Sequence, residues 1–166
     1  MLKKQFLTYV GIGLVLVAIG VAVIFHIQRG AHIELRGSVL KVRTLPIDNA
    51  SAIAVIDFRF VNPADYPFVV RRVNVSMEDP AGRVIEGSVI SESDAVRLFQ
   101  YYPVLGQKFN ESLTIRTKVA PRQAMDRMIG ARFELSDKEL EGRKRLTIRI
   151  EDVDGAISDV VEEARP

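Results

Sequence analysis

The chain contains no cysteine, no tryptophan and only two histidines among its 166 residues. Without cysteine it cannot form a disulfide framework, a thiolate nucleophile or a Cys-ligated zinc site. The histidines are His26 and His32, so residues 33–166 contain none. A Ser/His/Asp triad and a His-ligated metal site are therefore excluded from that stretch. Since nothing selects a carboxylate pair for glycoside hydrolysis, we predict a protein with no enzymatic activity, metal or cofactor.

One acidic run, Glu151-Asp152-Val153-Asp154-Gly155, superficially resembles the start of a calcium loop. An EF-hand loop needs further ligands at set positions, and this stretch lacks them. A hairpin turn is therefore the preferred interpretation of the run.

The net charge of +2 is small and unevenly distributed. The first thirty residues contain Lys3, Lys4 and Arg29 but no acidic residue, so the excess of positive charge lies at the N-terminus. The rest of the chain is close to neutral. This distribution does not imply a nucleic-acid-binding surface.

A run of 22 residues without a formal charge extends from Phe6 to Ile27. As a helix it would be roughly 33 Å long, enough to cross a bilayer core of about 30 Å. We predict an uncleaved membrane anchor, because the apolar region of a cleaved secretory signal is usually shorter. The predicted division is therefore a tail and span over 1–30, a folded domain over 31–161 and a polar tail over 162–166.

The basic residues on the two sides of a membrane span influence its orientation. The counts are nearly equal, with Lys3 and Lys4 before it and Arg29, Arg36 and Lys41 among those after it. A short tail before a single span commonly stays in the cytoplasm. We therefore predict a single-pass protein with a cytoplasmic N-terminus and a periplasmic or extracellular domain.

Beyond Gly30 the apolar residues alternate with polar ones, as in half-buried strands. About seven strands are predicted, around residues 33–42, 52–60, 73–77, 84–90, 113–119, 129–135 and 146–150. A phase shift at Gly37-Ser38 predicts a bulge in the first strand. Capping residues at Ser91 and Asp94 predict one short helix that ends before Pro103 and closes one end of the core. These elements favour an antiparallel β-sandwich of immunoglobulin or fibronectin type III.

The stretch Ile56-Asp57-Phe58-Arg59-Phe60-Val61-Asn62-Pro63-Ala64-Asp65-Tyr66-Pro67-Phe68-Val69-Val70 resembles the central signature of the late embryogenesis abundant type 2 family, also called the water-stress and hypersensitive-response domain. The resemblance implies a fibronectin-like sandwich, often behind a membrane span. It also implies a non-enzymatic role in stress tolerance, membrane-surface association or lipid handling. It transfers no catalytic residue.

Two groups of residues are candidates for a specific role. Asn62, Pro63, Tyr66 and Pro67 form the structural motif, in which Asn62 bonds the local backbone and the prolines fix φ. A ligand contact by Asn62 or Tyr66 is the alternative. The densest basic clusters are candidate membrane-surface contacts, and a solvated strand face is the alternative. These clusters consist of Arg71, Arg72, Arg143, Lys144 and Arg145.

The sequence thus predicts a membrane-anchored β-sandwich with a non-catalytic binding or stress-protective role at the membrane surface. The lipid bilayer is the predicted partner, and no nucleic-acid partner is expected. Two alternatives stay open: an accessory subunit of a larger membrane protein complex, and a lipid-binding or lipid-transfer domain. The first would bind other membrane proteins, and the second requires an apolar cavity or groove for a lipid ligand.

Overall fold

The computed structural model describes residues 11, 13–23 and 34–162. The chain divides into two compact units, residues 1–32 and 33–166. In the first unit, Gly11 and residues 13–23 are helical, and the large apolar side chains from Leu14 to Val23 are exposed. No helix within the described residues is both long enough and apolar enough to cross a bilayer.

Parts of two predictions lie outside the described residues. Residues 6–10, 12 and 24–27 of the predicted span are not described, so the span stays a prediction. The same holds for residues 163–166 of the predicted polar tail.

The second unit is a β-sandwich, as predicted, of eight strands within residues 34–162. All strand pairs are antiparallel. The strands are β1 (Arg36–Asp48), β2 (Ser51–Val61), β3 (Phe68–Glu78), β4 (Val84–Val89), β5 (Lys118–Val119), β6 (Ala124–Phe133), β7 (Arg145–Asp152) and β8 (Ile157–Val161). The finer assignment to an immunoglobulin or fibronectin type stays a prediction.

Two layers share strand β4. Sheet one has the order β1-β2-β6, and sheet two has the order β3-β7-β8 with β5 attached to β3. Residues 84–87 of β4 pair with β3, whereas Ser88 and Val89 pair with β6. Strand β4 therefore passes from one layer to the other and joins them along one side.

The main core fills the space between the two layers. Alternate residues of β2 point into it, and Phe58 and Phe60 are fully buried with stacked rings 5.6 Å apart. The other face of β2 is also buried, because Ile53 and Val55 belong to a second apolar cluster with Ala95 and Leu105. Strand β2 is thus covered on both faces, as its nearly continuous apolar sequence requires.

Residues 91–112 cover the outer face of sheet one, and we call this segment the flap. It contains a helix (Glu92–Tyr101) and a short 3-10 helix (Pro103–Leu105). The Ser91 side chain accepts a hydrogen bond from the Asp94 backbone and caps the helix as predicted. The predicted position is wrong, however, because Ala95 packs on the second apolar cluster and not at an end of the main core.

The structure corrects three other predictions. Only Lys118 and Val119 of the predicted strand 113–119 form a strand. Strand β8 was not predicted, nor was a helix at Asp137–Glu141, which a capping box between Ser136 and Glu139 begins. In β1 the register shift falls between Val39 and Lys41, two residues later than the predicted bulge.

The strand register defines two ends of the sandwich. At the proximal end, β1 begins and residues 62–67, 112–123 and 153–156 connect strands. The Leu35 backbone donates to Ser158 Oγ there, at 2.8 Å. The distal end carries the turns at 49–50 and 79–83 and the segment 134–144. The chain therefore enters the domain at the proximal end.

Candidate binding surface

The loop that follows β2 is fastened by Asn62, whose side chain is completely buried. Its Nδ2 donates to the carbonyl oxygens of Tyr66 at 2.8 Å and of Val119 and Ala120 at 3.3 Å. Its Oδ1 accepts from the Ala64 backbone at 3.0 Å. Asn62 thus ties residues 62–67 to residues 119–120, and its amide has no access to a ligand.

Between Asn62 and β3 the chain turns at the proximal end. Pro63 and Pro67 restrict φ on either side of the turn. Between them, Tyr66 is 40% exposed. Of the four residues of the predicted motif, Tyr66 and Pro67 are exposed, and Tyr66 has the only aromatic side chain among them.

Three more apolar side chains are exposed at the proximal end, and one of them is Ile157, which is 52% exposed at the start of β8. Ile115 is 65% exposed in the loop before β5, and Val153 is 52% exposed in the turn between β7 and β8. That turn is the predicted hairpin at residues 151–155. Asp152 stabilises the turn, because its buried Oδ1 accepts from the backbones of Val69 and Val153, each at 2.8 Å.

Arg71 and Arg72 lie at the proximal end, near the start of β3. A register shift between Val70 and Arg72 lets both consecutive arginines face solvent. Their side chains are 55% and 64% exposed, and both share the carboxylate of Glu151 at 3.4 and 3.9 Å. These distances are too long for strong hydrogen bonds, so Glu151 compensates the two guanidinium groups only weakly.

Sequence reasoning missed three more cations of the proximal end, namely Arg36, Arg116 and Lys118. All three are exposed, and none has an acidic partner within 4.0 Å among the described residues. Arg122 also lies there and pairs with Asp65 at 2.9 Å. No local signal in the sequence groups Arg116 and Lys118 with Arg71, because only the pairing of β5 with β3 brings them to the start of that strand.

The other predicted basic cluster, Arg143, Lys144 and Arg145, lies at the distal end, and its side chains are in close ion pairs. The side chain of Arg143 is only 2% exposed. Its Nε and Nη2 donate to the two oxygens of Glu162 at 2.8 and 2.7 Å, and its Nη1 donates to the Leu140 carbonyl at 2.9 Å. The prediction that Arg143 contacts a membrane surface is therefore wrong, since the guanidinium is buried in a bidentate pair.

Lys144 and Arg145 are exposed, but both bind Glu78, at 2.6 and 2.7 Å. The hydrogen bond from Lys144 is the main cause that holds the pKa of Glu78 below its ordinary value. Glu78 and Arg72 are six residues apart on β3, which corresponds to about 20 Å along a strand. The two predicted clusters therefore lie at opposite ends and cannot form one surface at either end.

A buried ion pair fixes the flap to sheet one. Arg43 Nη2 donates to Asp57 Oδ2 at 2.5 Å, and Arg43 Nη1 donates to the Leu105 carbonyl at 2.6 Å. The Arg43 guanidinium also lies 4.8 Å from the centre of the Phe99 ring. Asn110 donates to the second oxygen of Asp57 at 3.0 Å. These contacts serve the structure, and they hold the flap in one position.

Two open clefts lie away from the proximal end. The outer face of sheet two has a groove of about 490 Å³, where charges compensate each other, as in the pair Arg149–Asp159 at 2.8 Å. The distal end has a cleft of about 440 Å³ with the apolar side chains of Met77, Ile85 and Leu135 in its walls. Among the described residues, no group of acidic or histidine side chains could hold a metal ion.

No family model matches the sequence, and no curated protein matches it significantly. Among solved structures, the chain is similar to an uncharacterized β-sandwich protein from Clostridium difficile, with 9% identity over 77% of this chain and 85% of that chain and a TM-score of 0.39. It is also similar to the archaellum periplasmic stator protein FlaG from Sulfolobus acidocaldarius, with 10% identity over 76% and 98% of the two chains and a TM-score of 0.31. Similarity at this level carries no functional argument, so the assignment of a β-sandwich depends on the strand pairing.

Proposed function

We propose that this chain is a non-catalytic binding protein, held at a membrane by its N-terminal segment, whose proximal end faces the bilayer. One observation carries the proposal: exposed apolar side chains and unpaired cations occur together at the end where the chain enters the domain. The apolar side chains are Tyr66, Ile115, Val153 and Ile157, and the cations without an acidic partner among the described residues are Arg36, Arg116 and Lys118.

Chain length supports this placement. Only eight residues, and thus nine Cα–Cα steps, separate Ile27, the last residue of the predicted span, from Arg36, the first residue of β1. A fully extended chain covers at most 3.3–3.6 Å per residue, so this connection reaches about 30 Å or less. A domain anchored in this way keeps its proximal end close to the headgroups.

The charges and the apolar tips fit such a position. A lysine or arginine near an anionic membrane surface contributes about 1 kcal/mol of attraction, and this attraction falls off within a Debye length. Apolar and aromatic tips such as Ile115 and Tyr66 can enter the interfacial region. Glu34 and Asp154 oppose the attraction at the same end, whereas the carboxylate of Asp152 is buried and accepts backbone hydrogen bonds.

The proposal keeps the predicted orientation, with the N-terminus in the cytoplasm and the domain on the periplasmic or extracellular side. It also keeps the resemblance to the late embryogenesis abundant type 2 family, whose implied stress-protective role requires binding and no catalysis. Both parts are proposals.

The test uses the full chain in lipid vesicles that carry nitroxide-labelled headgroups. Because the sequence has no cysteine, Val153→Cys and Ala81→Cys each provide a single site for a fluorescent label, at the proximal and the distal end. We expect the label at position 153 to be quenched more strongly than the label at position 81. Equal quenching at both sites, or stronger quenching at position 81, would contradict the proposal.

An accessory subunit of a larger membrane complex is the second candidate, and one feature of the flap favours it. Tyr101, Val104 and Phe109 are 77%, 78% and 69% exposed on a segment that Arg43 holds in place. Exposed apolar side chains on a fixed surface are typical of protein contacts. Extraction in mild detergent should then give a stable assembly larger than the monomer, and Phe109→Ser should release the monomer. A lone monomer in wild type would eliminate this candidate.

A further inference from the structure

Two arginines of the loop before β6 have a backbone conformation that favours glycine. Within the described residues, the non-glycine residues with positive φ are Arg116 at 68° and Arg122 at 58°. An L-residue in this left-handed region has a conformational cost that glycine avoids. Arg122 pairs with Asp65, whereas the Arg116 side chain has no partner among the described residues. Residues with strained backbones cluster at sites that contact ligands.

The backbone around Arg116 holds its position firmly. The Arg116 N–H donates to the Val70 carbonyl at 2.7 Å, and the Val70 N–H donates to the Thr117 carbonyl at 2.9 Å. Lys118 is the register partner of Val69. Arg116 and Lys118 therefore lie directly beside β3, where the bulge exposes Arg71. The backbones of these three basic residues therefore lie close together at one corner of the proximal end.

We propose that Arg71, Arg116 and Lys118 bind the phosphate of an anionic phospholipid headgroup. The inference depends on the proposed function, because it places this corner at the bilayer. A guanidinium presents a planar fork of donors that matches phosphate oxygens, and an ammonium adds a compact point charge. Glu151 is the acid that competes for Arg71, and its 3.4 Å contact is longer than a charge-assisted hydrogen bond.

A lipid headgroup fits this corner better than a free phosphate ion does. Ile115 is the immediate neighbour of Arg116 and is 65% exposed. A free phosphate gives this side chain no apolar environment, whereas a bilayer offers phosphate and acyl chain together. The cluster therefore combines a site for the phosphate with an apolar tip beside it.

The experiment uses the full chain labelled at Val153→Cys, so that Ile115 and the three cations stay native. Quenching by nitroxide headgroups is compared between vesicles of phosphatidylcholine alone and vesicles that also contain phosphatidate. We expect stronger quenching with phosphatidate. Lys118→Glu and Arg116→Gly should each lower the ratio of docked to undocked protein about five-fold or more with phosphatidate. Lys138→Glu, at the distal end, is the matched control and should leave the ratio unchanged.

Arg116→Gly separates a binding role from a structural one. Glycine relieves the positive φ, so the variant should keep or raise the melting temperature while it loses the response to phosphatidate. A lower melting temperature with an unchanged response would overturn the inference. Lys118→Glu gives the same test at a residue without backbone strain.

The remaining outcomes distinguish the two proposals. Equal quenching in both kinds of vesicle, unaffected by the variants, would overturn the phosphate cluster and leave the proximal end at the membrane. No quenching in either kind of vesicle would overturn both. If glycerol phosphate, without vesicles, protects Arg116 and Lys118 from chemical modification as well as phosphatidate vesicles do, the assignment to a lipid headgroup is wrong.

Discussion

The two ends of the sandwich both carry clusters of basic residues, but they use them in different ways. At the distal end, Arg143 is buried against Glu162, and Lys144 and Arg145 share Glu78. At the proximal end, Arg116 and Lys118 have no acidic partner among the described residues. The difference shows that a basic run is informative only once its partners are known. Arg143, Lys144 and Arg145 stabilise the fold through these pairs, whereas Arg116 and Lys118 are available to bind a ligand.

The largest expected loss of stability follows from breaking the distal ion pair between Arg143 and Glu162. Arg143→Ala removes the bidentate partner of the Glu162 carboxylate, which is largely buried. Removal of one member of a buried ion pair costs about 3–5 kcal/mol. We expect urea unfolding of this variant to show a loss of about that size. Arg72→Ala, at the proximal end, is the control and should change the free energy of unfolding by about 0.5 kcal/mol or less. Similar losses in both variants would remove the contrast between the ends.

The next largest loss of stability is expected when Asn62, which joins the proximal loops, is replaced. Asn62→Ala removes the amide that joins residues 62–67 to Val119 and Ala120. It leaves buried carbonyls without a donor, so we expect a loss of about 1–3 kcal/mol in thermal unfolding. Residues 112–123 should also become more susceptible to proteolysis. Asn74→Ala, at an exposed position of β3, should have neither effect.

The pH dependence of stability should concentrate at the distal end. The pKa of Glu78 is held below its ordinary value of 4.5 by the hydrogen bond from Lys144, and the pKa of Asp79 is held low by the Arg83 backbone. A group whose pKa is lowered on folding stabilises the fold above its unfolded pKa, and this contribution is lost as the pH falls through the folded pKa. The melting temperature should therefore fall below about pH 4.5, and less steeply in Glu78→Gln. Identical slopes would contradict this assignment.

The smallest change in stability is expected at Arg122, the second arginine with a positive φ. Arg122→Gly relieves a positive φ of 58° but loses an exposed pair with Asp65. Glycine also increases the freedom of the unfolded chain, so the three contributions nearly cancel. The melting curve should correspond to a change within about 1 kcal/mol. A larger loss would show that the Asp65 pair is an essential part of the proximal end.

Alternation in the sequence predicted six of the eight strands, but it missed β8 at the edge of sheet two and made β5 too long. Strand β2 was predictable because apolar residues occupy every second position from Ala52 to Phe60, shortly before Asn62-Pro63. The loop at 113–119 alternates in the same way, yet Ile115 is exposed and only Lys118 and Val119 pair with β3. Pattern alone cannot distinguish the two cases, because the pairing depends on strands that are distant in sequence.

The candidate site was less predictable than the fold. Arg71 and Arg72 were found as a local basic run, and the structure places them at the proximal end. Arg143 looked the same in sequence, but its partner Glu162 is 19 residues away and buries it. Arg116 is a single arginine between Ile115 and Thr117, and neither its positive φ nor its position beside Val70 has a local sequence signal.

The most direct test of the account is to map which residues the bilayer touches. The full chain would be placed in vesicles whose lipid headgroups carry a photoactivatable cross-linker, and mass spectrometry would identify the labelled peptides. The account predicts cross-links in residues 62–72, 114–122 and 153–157, and few in residues 79–83 and 134–145. Cross-links mainly in the distal segments, or spread equally over both ends, would contradict it.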